Sequence, residues 1–148
     1  MALNIDLIFV QNCNFRVLPY QDQKEIAYNL AITHFEKLDT QDPENANKQL
    51  FAVGFDLFHG VEKPAMELSC TYVAIYTGDT AEDFSILKDK IVVSHIIPYL
   101  REFIAGLTMR SVLPPLTIPP INTAMLLDDY ETRKKAQQQQ QGDQQAQE

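Results

Sequence analysis

Apolar and polar residues alternate along the start of the chain. Leu3, Ile5, Leu7, Phe9, Cys13, Phe15 and Val17 are set against Asn4, Asp6, Asn12, Asn14 and Arg16. A period of two over that length predicts one long strand with a buried face and a mostly wet face. Ile8 and Val10 interrupt the wet face, so an apolar cover is expected there, either a helix or a neighbouring subunit. Residues 19–24 read as a polar turn. A second strand follows with Ile26, Tyr28, Leu30 and Ile32 on one face, and then a polar loop over 36–48 that holds Asp42-Pro43. A third strand is expected over 49–59, where Phe51, Val53, Phe55 and Leu57 alternate with Ala52, Gly54 and Asp56. The fourth places Met66, Leu68, Cys70, Tyr72, Ala74 and Tyr76 on one face and Ser69, Thr71, Val73 and Ile75 on the other. Four consecutive strands with short polar connections predict an antiparallel meander.

The period then changes. Thr80 with Asp83 resembles a capping box, and Phe84, Leu87, Ile91 and Val92 follow helical spacing. Pro98 removes a hydrogen bond and clashes with the preceding turn inside a helix. Either the helix kinks there or, the favoured reading, a second helix starts near Ser94 and takes Pro98 in its first turns, with Leu100, Phe103, Ile104 and Leu107 as its buried stripe. Residues 113–121 have no helical period and four prolines, yet they are apolar throughout. A solvated loop is not expected to be so apolar, so this arm must lie on a core or on another chain. Asn122 is a suitable N-cap for a last helix, with Ile121 and Leu126 spaced for a hydrophobic staple and Leu127 and Tyr130 extending the stripe. The glutamine-rich end has nothing to bury and is expected to be disordered. The expected class is α+β: a four-stranded antiparallel sheet with helices packed on one face. One domain spans 1–136 and the tail spans 137–148.

Composition narrows the function classes. A chain of 148 residues with 45% hydrophobic residues can bury a core of ordinary size. A net charge of −8 disfavours nucleic acid, whose phosphates call for clustered Lys and Arg. The one basic cluster, Arg133-Lys134-Lys135, reads as the cationic end of a helix. Cys13 and Cys70 both sit in alternating apolar runs, which suggests buried free thiols and a reducing compartment. The first residues lack a basic region and carry Asp6 within the apolar run, so no signal peptide is expected. No uninterrupted apolar run approaches the length that spans a bilayer, so neither is membrane insertion.

Signatures of chemistry are sparse. With five glycines there is no phosphate-binding or dinucleotide turn. His34, His59 and His95 stand at no metal-ligand spacing from each other or from a cysteine. Ser85, Ser94 and Ser111 have no nucleophile signature. No catalytic residue, metal or cofactor is expected. The sequence offers a surplus instead. Strands apolar on both faces, plus an apolar arm, carry more apolar surface than two or three helices can cover, and such a surplus is buried by self-association or left as a binding patch.

The chain resembles the SecB family of bacterial protein-export chaperones. The resemblance is sharpest in Pro98-Tyr99, Arg101-Glu102, Arg110, Pro114, Leu116 and Pro120, followed by Asn122, Leu126, Leu127 and Tyr130. It is looser at residues 67–72, which stand at the family's fourth strand. The resemblance implies a cytoplasmic homotetramer, a dimer of dimers, that holds unfolded polypeptide clients without ATP in long apolar grooves. The implied groove is lined by Leu113, Leu116, Ile118 and Ile121 of the arm, and by Met125, Leu126, Leu127 and Tyr130 of the last helix. Cys70, Tyr72 and Ala74 match positions at the family's subunit contacts. The family docks the SecA motor through acidic residues on the outer sheet face, where this chain has Ser69 and Thr71. SecB-like proteins also serve as chaperones for the antitoxin of toxin–antitoxin systems, which gives a second client class.

Two other readings compete. A thioesterase-type enzyme would use Glu102 as general base in a buried tunnel, but the prolines after Gly106 end the helix that such a fold requires. A structural oligomer without a client would bury the same surplus and bind nothing else.

Overall fold

The computed structural model describes residues 3–18, 26–111 and 114–146. Four strands, β1 (Asn4–Val17), β2 (Ala31–Leu38), β3 (Lys48–Asp56) and β4 (Met66–Thr77), precede two helices, α1 (Asp89–Met109) and α2 (Thr123–Gln145). Short 3₁₀ turns occupy Pro43–Asn45 and Asp83–Ile86. The turn expected over 19–24 lies outside the described residues. The class is α+β as expected, with one antiparallel sheet.

The sheet order is β1-β4-β3-β2. Strands β2 to β4 form the meander, whereas β1 crosses to the far side of β4 instead of pairing with β2. Alternation within a strand shows which residues share a face but not which strand is the neighbour, so this order is a property of the fold as a whole. β2 also starts later than its apolar spacing suggests. Residues 26–30 are joined to the sheet by a single bridge from Asn29 to Phe58, and the strand runs on to Leu38, past Glu36, where the polar loop is expected to begin. β2 is an edge, and polar side chains on an edge discourage pairing with other chains.

Two bulges in β1 change which residues face the helices. Register shifts fall between Ile5 and Leu7 and between Val10 and Asn12, leaving Asp6 and Gln11 without opposed partners. Each extra residue inverts the alternation. Ile8, Val10, Cys13, Phe15 and Val17 therefore oppose Ala74, Tyr72, Cys70, Leu68 and Met66 on the side of the sheet that carries the helices. Leu7 and Phe9 oppose Ile75 and Val73 on the open face, so the single apolar face expected for β1 is split between two sides.

The core lies between this sheet face and α1. Val92, Val93, Ile96, Ile97, Leu100 and Ile104 are buried against Phe51, Val53, Phe55, Tyr72 and Tyr76. Helix α1 is continuous and carries Pro98 in its interior, so the second helix expected near Ser94 does not exist as a separate element. Pro98 is on the exposed side, where the carbonyl it leaves without an amide donor can meet water. By length and composition α1 could cross a membrane. Here its apolar stripe is the centre of a packed core, which accounts for the same composition. Of the expected stripe, Leu100 and Ile104 are fully buried, while Phe103 and Leu107 are only partly covered.

Asn122 caps α2 as expected, its side chain accepting from the amides of Ala124 and Met125 at 3.1 and 3.3 Å. The helix then continues through the glutamine run that was expected to lack structure. Alanine and glutamine are good helix formers, and the side chains over 137–143 are all exposed. Arg133 is consequently mid-helix, not at a helix end, and donates to the Ile32 carbonyl at 2.6 Å, tying α2 to β2. Among the described residues no buried side-chain nitrogen or oxygen is left without a partner.

Candidate functional site

With α1 over the centre of the sheet and α2 tied to β2, the helix-side face of β1 has no helix above it. Burial reflects this: Tyr72 and Tyr76 of β4 are almost fully covered, whereas every described residue of β1 is at least partly exposed. A cleft of about 370 Å³ opens between β1 and the flank of α1. Its floor is Tyr72, its outer wall is Ile8, Phe9 and Val10, and its inner wall is Tyr99, Phe103 and Leu107. Glu102 and Arg110 stand at its charged margin. Gly106 contributes no side chain, and a Cβ placed there would meet nothing within 4 Å.

The aromatic floor is fixed. Tyr72 donates from its hydroxyl to the Tyr99 carbonyl at 3.2 Å, and its ring meets Phe103 edge-on at 6.2 Å and Phe55 at 6.4 Å. Burial, followed by the nearby Cys70, Cys13 and Glu102, pushes its phenol pKa upward, so it stays a neutral donor. The cleft therefore has apolar walls, a rigid aromatic base and one charge of each sign. It can hold apolar side chains of an extended chain, and the N–H and C=O groups along the β1 edge could pair with that chain's backbone.

The arm and α2 residues lie elsewhere. The arm is fastened to α1 by two bonds: Leu116 N donates to Thr108 Oγ1 at 2.7 Å, and Arg101 Nε donates to the Ile118 carbonyl at 2.8 Å. Ile118, Leu126 and Leu127 are buried in the chain's own core. Leu116, Ile121 and Tyr130 are partly buried against it, while Met125 is 62% exposed. Leu113 lies outside the described residues. Of the positions assigned to subunit contacts, Cys70, Tyr72 and Ala74 are buried beneath this chain's own helices, because β4 is an inner strand. The large exposed apolar side chains on the sheet are Ile5, Leu7 and Phe9. The sequence signal for the cleft was the interruption at Ile8 and Val10. No helix covers these residues.

The histidines are engaged in local pairs. His34 meets Glu36 at 3.0 Å, His95 meets the Tyr76 hydroxyl at 3.0 Å, and His59 stands 3.9 Å from Asp56. Among the described residues no cluster could hold a metal ion. Glu102 is exposed on α1 at an open cleft, not enclosed in a tunnel.

No family model matches the sequence, and no curated protein matches it. Solved structures do. The Mycobacterium tuberculosis Rv1957 SecB-like chaperone, in complex with a ChAD peptide from the Rv1956 HigA1 antitoxin, has a TM-score of 0.60 at 19% identity, covering 82% of this chain and 91% of that one. A protein of unknown function from Streptococcus agalactiae has a TM-score of 0.46 at 12% identity, covering 81% of this chain and 98% of that one. An antiparallel sheet with a crossed first strand, a long core helix and an arm leading to a final helix is thus the SecB-like fold.

Proposed function

We propose that the protein is an ATP-independent holdase chaperone, which binds extended apolar segments of non-native polypeptides and catalyses no reaction. The observation that carries this reading is the open cleft between β1 and α1, where Ile8, Val10, Tyr99, Phe103 and Leu107 stand around Tyr72. A client side chain buried there contributes about 1.5–3 kcal/mol. Repetition over several subunits would raise the avidity about 10²–10⁴-fold without demanding a sequence. Self-association, as the tetramer implied by the SecB resemblance, would cover Ile5, Leu7 and Phe9, which one subunit leaves in water. The net charge of −8 would keep such a particle soluble and favour basic, unfolded clients. A cytoplasmic place of action follows from this reading.

A second client class has its own support. The similar Mycobacterium tuberculosis chaperone was solved with an antitoxin peptide, so a dedicated antitoxin is a specific candidate beside export precursors delivered to SecA.

The test uses the cleft directly. The purified chain should suppress aggregation of a chemically unfolded protein without nucleotide. Gly106→Leu, whose new side chain enters open space, should weaken binding of a labelled apolar peptide at least about tenfold while the thermal midpoint holds. Unchanged affinity in a folded Gly106→Leu variant would rule out this cleft as the client site. Absence of any protection by the parent would rule out the holdase reading itself.

A further inference from the structure

Cys13 and Cys70 are far apart in sequence, yet they are directly opposed across β1 and β4. The bulge at Gln11 sets this phase, because it lets Val10 and Cys13, three residues apart, share the helix-side face. Directly opposed residues in an antiparallel pair have Cα atoms about 4.5 or 5.5 Å apart, depending on their place in the ladder. Both values fall within the roughly 4.4–6.8 Å that a disulfide spans. Both thiols are free. Cys13 is exposed and Cys70 is buried, so one sulfur can meet a solute and the other waits behind it. We propose that the two form a reversible cross-strand disulfide in response to peroxide, stapling the edge strand β1 to the sheet.

The chemistry balances with one equivalent of hydrogen peroxide. The Cys13 thiolate attacks a peroxide oxygen; the S–O bond forms, the O–O bond breaks, and the departing hydroxide takes up a proton to become water. Cys70 Sγ then attacks the sulfenic sulfur and gives up its proton. The S–S bond forms, the S–O bond breaks, and a second water leaves. Two thiols lose two electrons between them, and one peroxide becomes two waters. Burial raises both thiols above their ordinary value; Cys13, being exposed, attacks first, and the Cys70 thiol, pushed up to about 12, is the poorer first nucleophile. Its fixed position opposite Cys13 offsets this in the second step, since an oriented partner acts at a high effective concentration. A dithiol reductant reverses the bond by exchange. The staple would sit beside the cleft, because Cys13 follows the wall residues Ile8 and Val10 on β1, and Cys70 precedes the floor residue Tyr72 on β4.

The test uses the full chain, reduced and then exposed to low hydrogen peroxide. Thiol titration should fall from two per chain to none, and peptide mapping should recover a Cys13–Cys70 link within a single chain. Amide exchange over residues 7–15 should slow about tenfold or more, and dithiothreitol should restore both readouts. In Cys70→Ala, Cys13 should accumulate as a sulfenic acid that dimedone traps, at least about tenfold more than in the parent. Three results would overturn the proposal: chains linked to each other through Cys13, Cys13 oxidised past sulfenic acid while Cys70 stays a thiol, or a mapped link that leaves β1 exchange unchanged. Mapping of the parent chain stands even if Cys70→Ala fails to fold.

Discussion

Single side chains decide several features of this molecule. Gly54 opposes the bulge in β2 at Thr33, and a Cβ there would stand 2.8 Å from Thr33 Oγ1 and 3.1 Å from His34 Cβ. Gly54→Ala should therefore cost about 1–3 kcal/mol in urea unfolding, as expected for overpacking. Thr108 is fully buried and bonds in two directions, donating to the Ile104 carbonyl at 2.9 Å and accepting from Leu116 N. Thr108→Val keeps the shape and strands that amide. A loss of about 1–3 kcal/mol is expected, with faster amide exchange at Leu116 as the check. Burial also makes the molecule sensitive to alkali. It raises Cys70 from an ordinary 9.0 to about 12, with Cys13 adding to the effect, and Tyr76 from 10.0 to about 12. The folded chain thus holds these protons more tightly than the unfolded one. Their contribution is complete below pH 9, declines as the unfolded groups ionise, and is lost as pH passes through about 12. Urea midpoints should fall over that window, and Cys70→Ala should flatten its lower part. At this scale the sequence was only partly legible. The Asn122 cap follows a local rule, because the amides that donate to its side chain lie within three residues. The bond from Arg133 to the Ile32 carbonyl joins residues 101 positions apart, and no local pattern encodes it.

Among the elements, the long first strand, the third and fourth strands and the last helix can be read from periodicity, because each has a clear alternating or helical stripe. Two misreadings have definite causes. β1 shows a two-residue period over most of its length, but period alone does not register Asp6 and Gln11 as unpaired extras, so the face assigned to Leu7 and Phe9 came out inverted. The cost of proline in a helix predicts a break in α1 near Ser94, which the structure does not have. The cost is borne here on the exposed side, where water can satisfy the freed carbonyl and the stripe from Val92 to Ile104 continues beneath. Pro98→Ala should then stabilise the protein, by up to about 3 kcal/mol in thermal or urea unfolding. No gain at all would mean that the Pro98 ring is itself required by the packing of α1. The glutamine run in α2 carries no stripe, so its helicity rests on propensity and on growth from the packed turns before it.

For the whole molecule, sequence pattern indicated a surplus of apolar surface but not its location. That depends on β1 lying beside β4, outside the cover of either helix. The exposed Leu7 and Phe9, together with the cleft behind them, make β1 the region from which assembly and client binding are both expected to proceed. Light scattering should give a mass about four times the 16.9 kDa of one chain, and Phe9→Asp should lower that mass. The two bulges have a further consequence for how this chain can change length. Because Asp6 and Gln11 are each an uncounted extra in the ladder, deleting either one leaves every opposed pair of β1 and β4 where it is. Deleting Ile8, one position inside the bulged stretch, would slide its neighbours by a step and exchange the two sides of the strand. Shortening by one residue should thus be tolerated at two positions and ruinous between them, an asymmetry that a scan of single-codon deletions would expose.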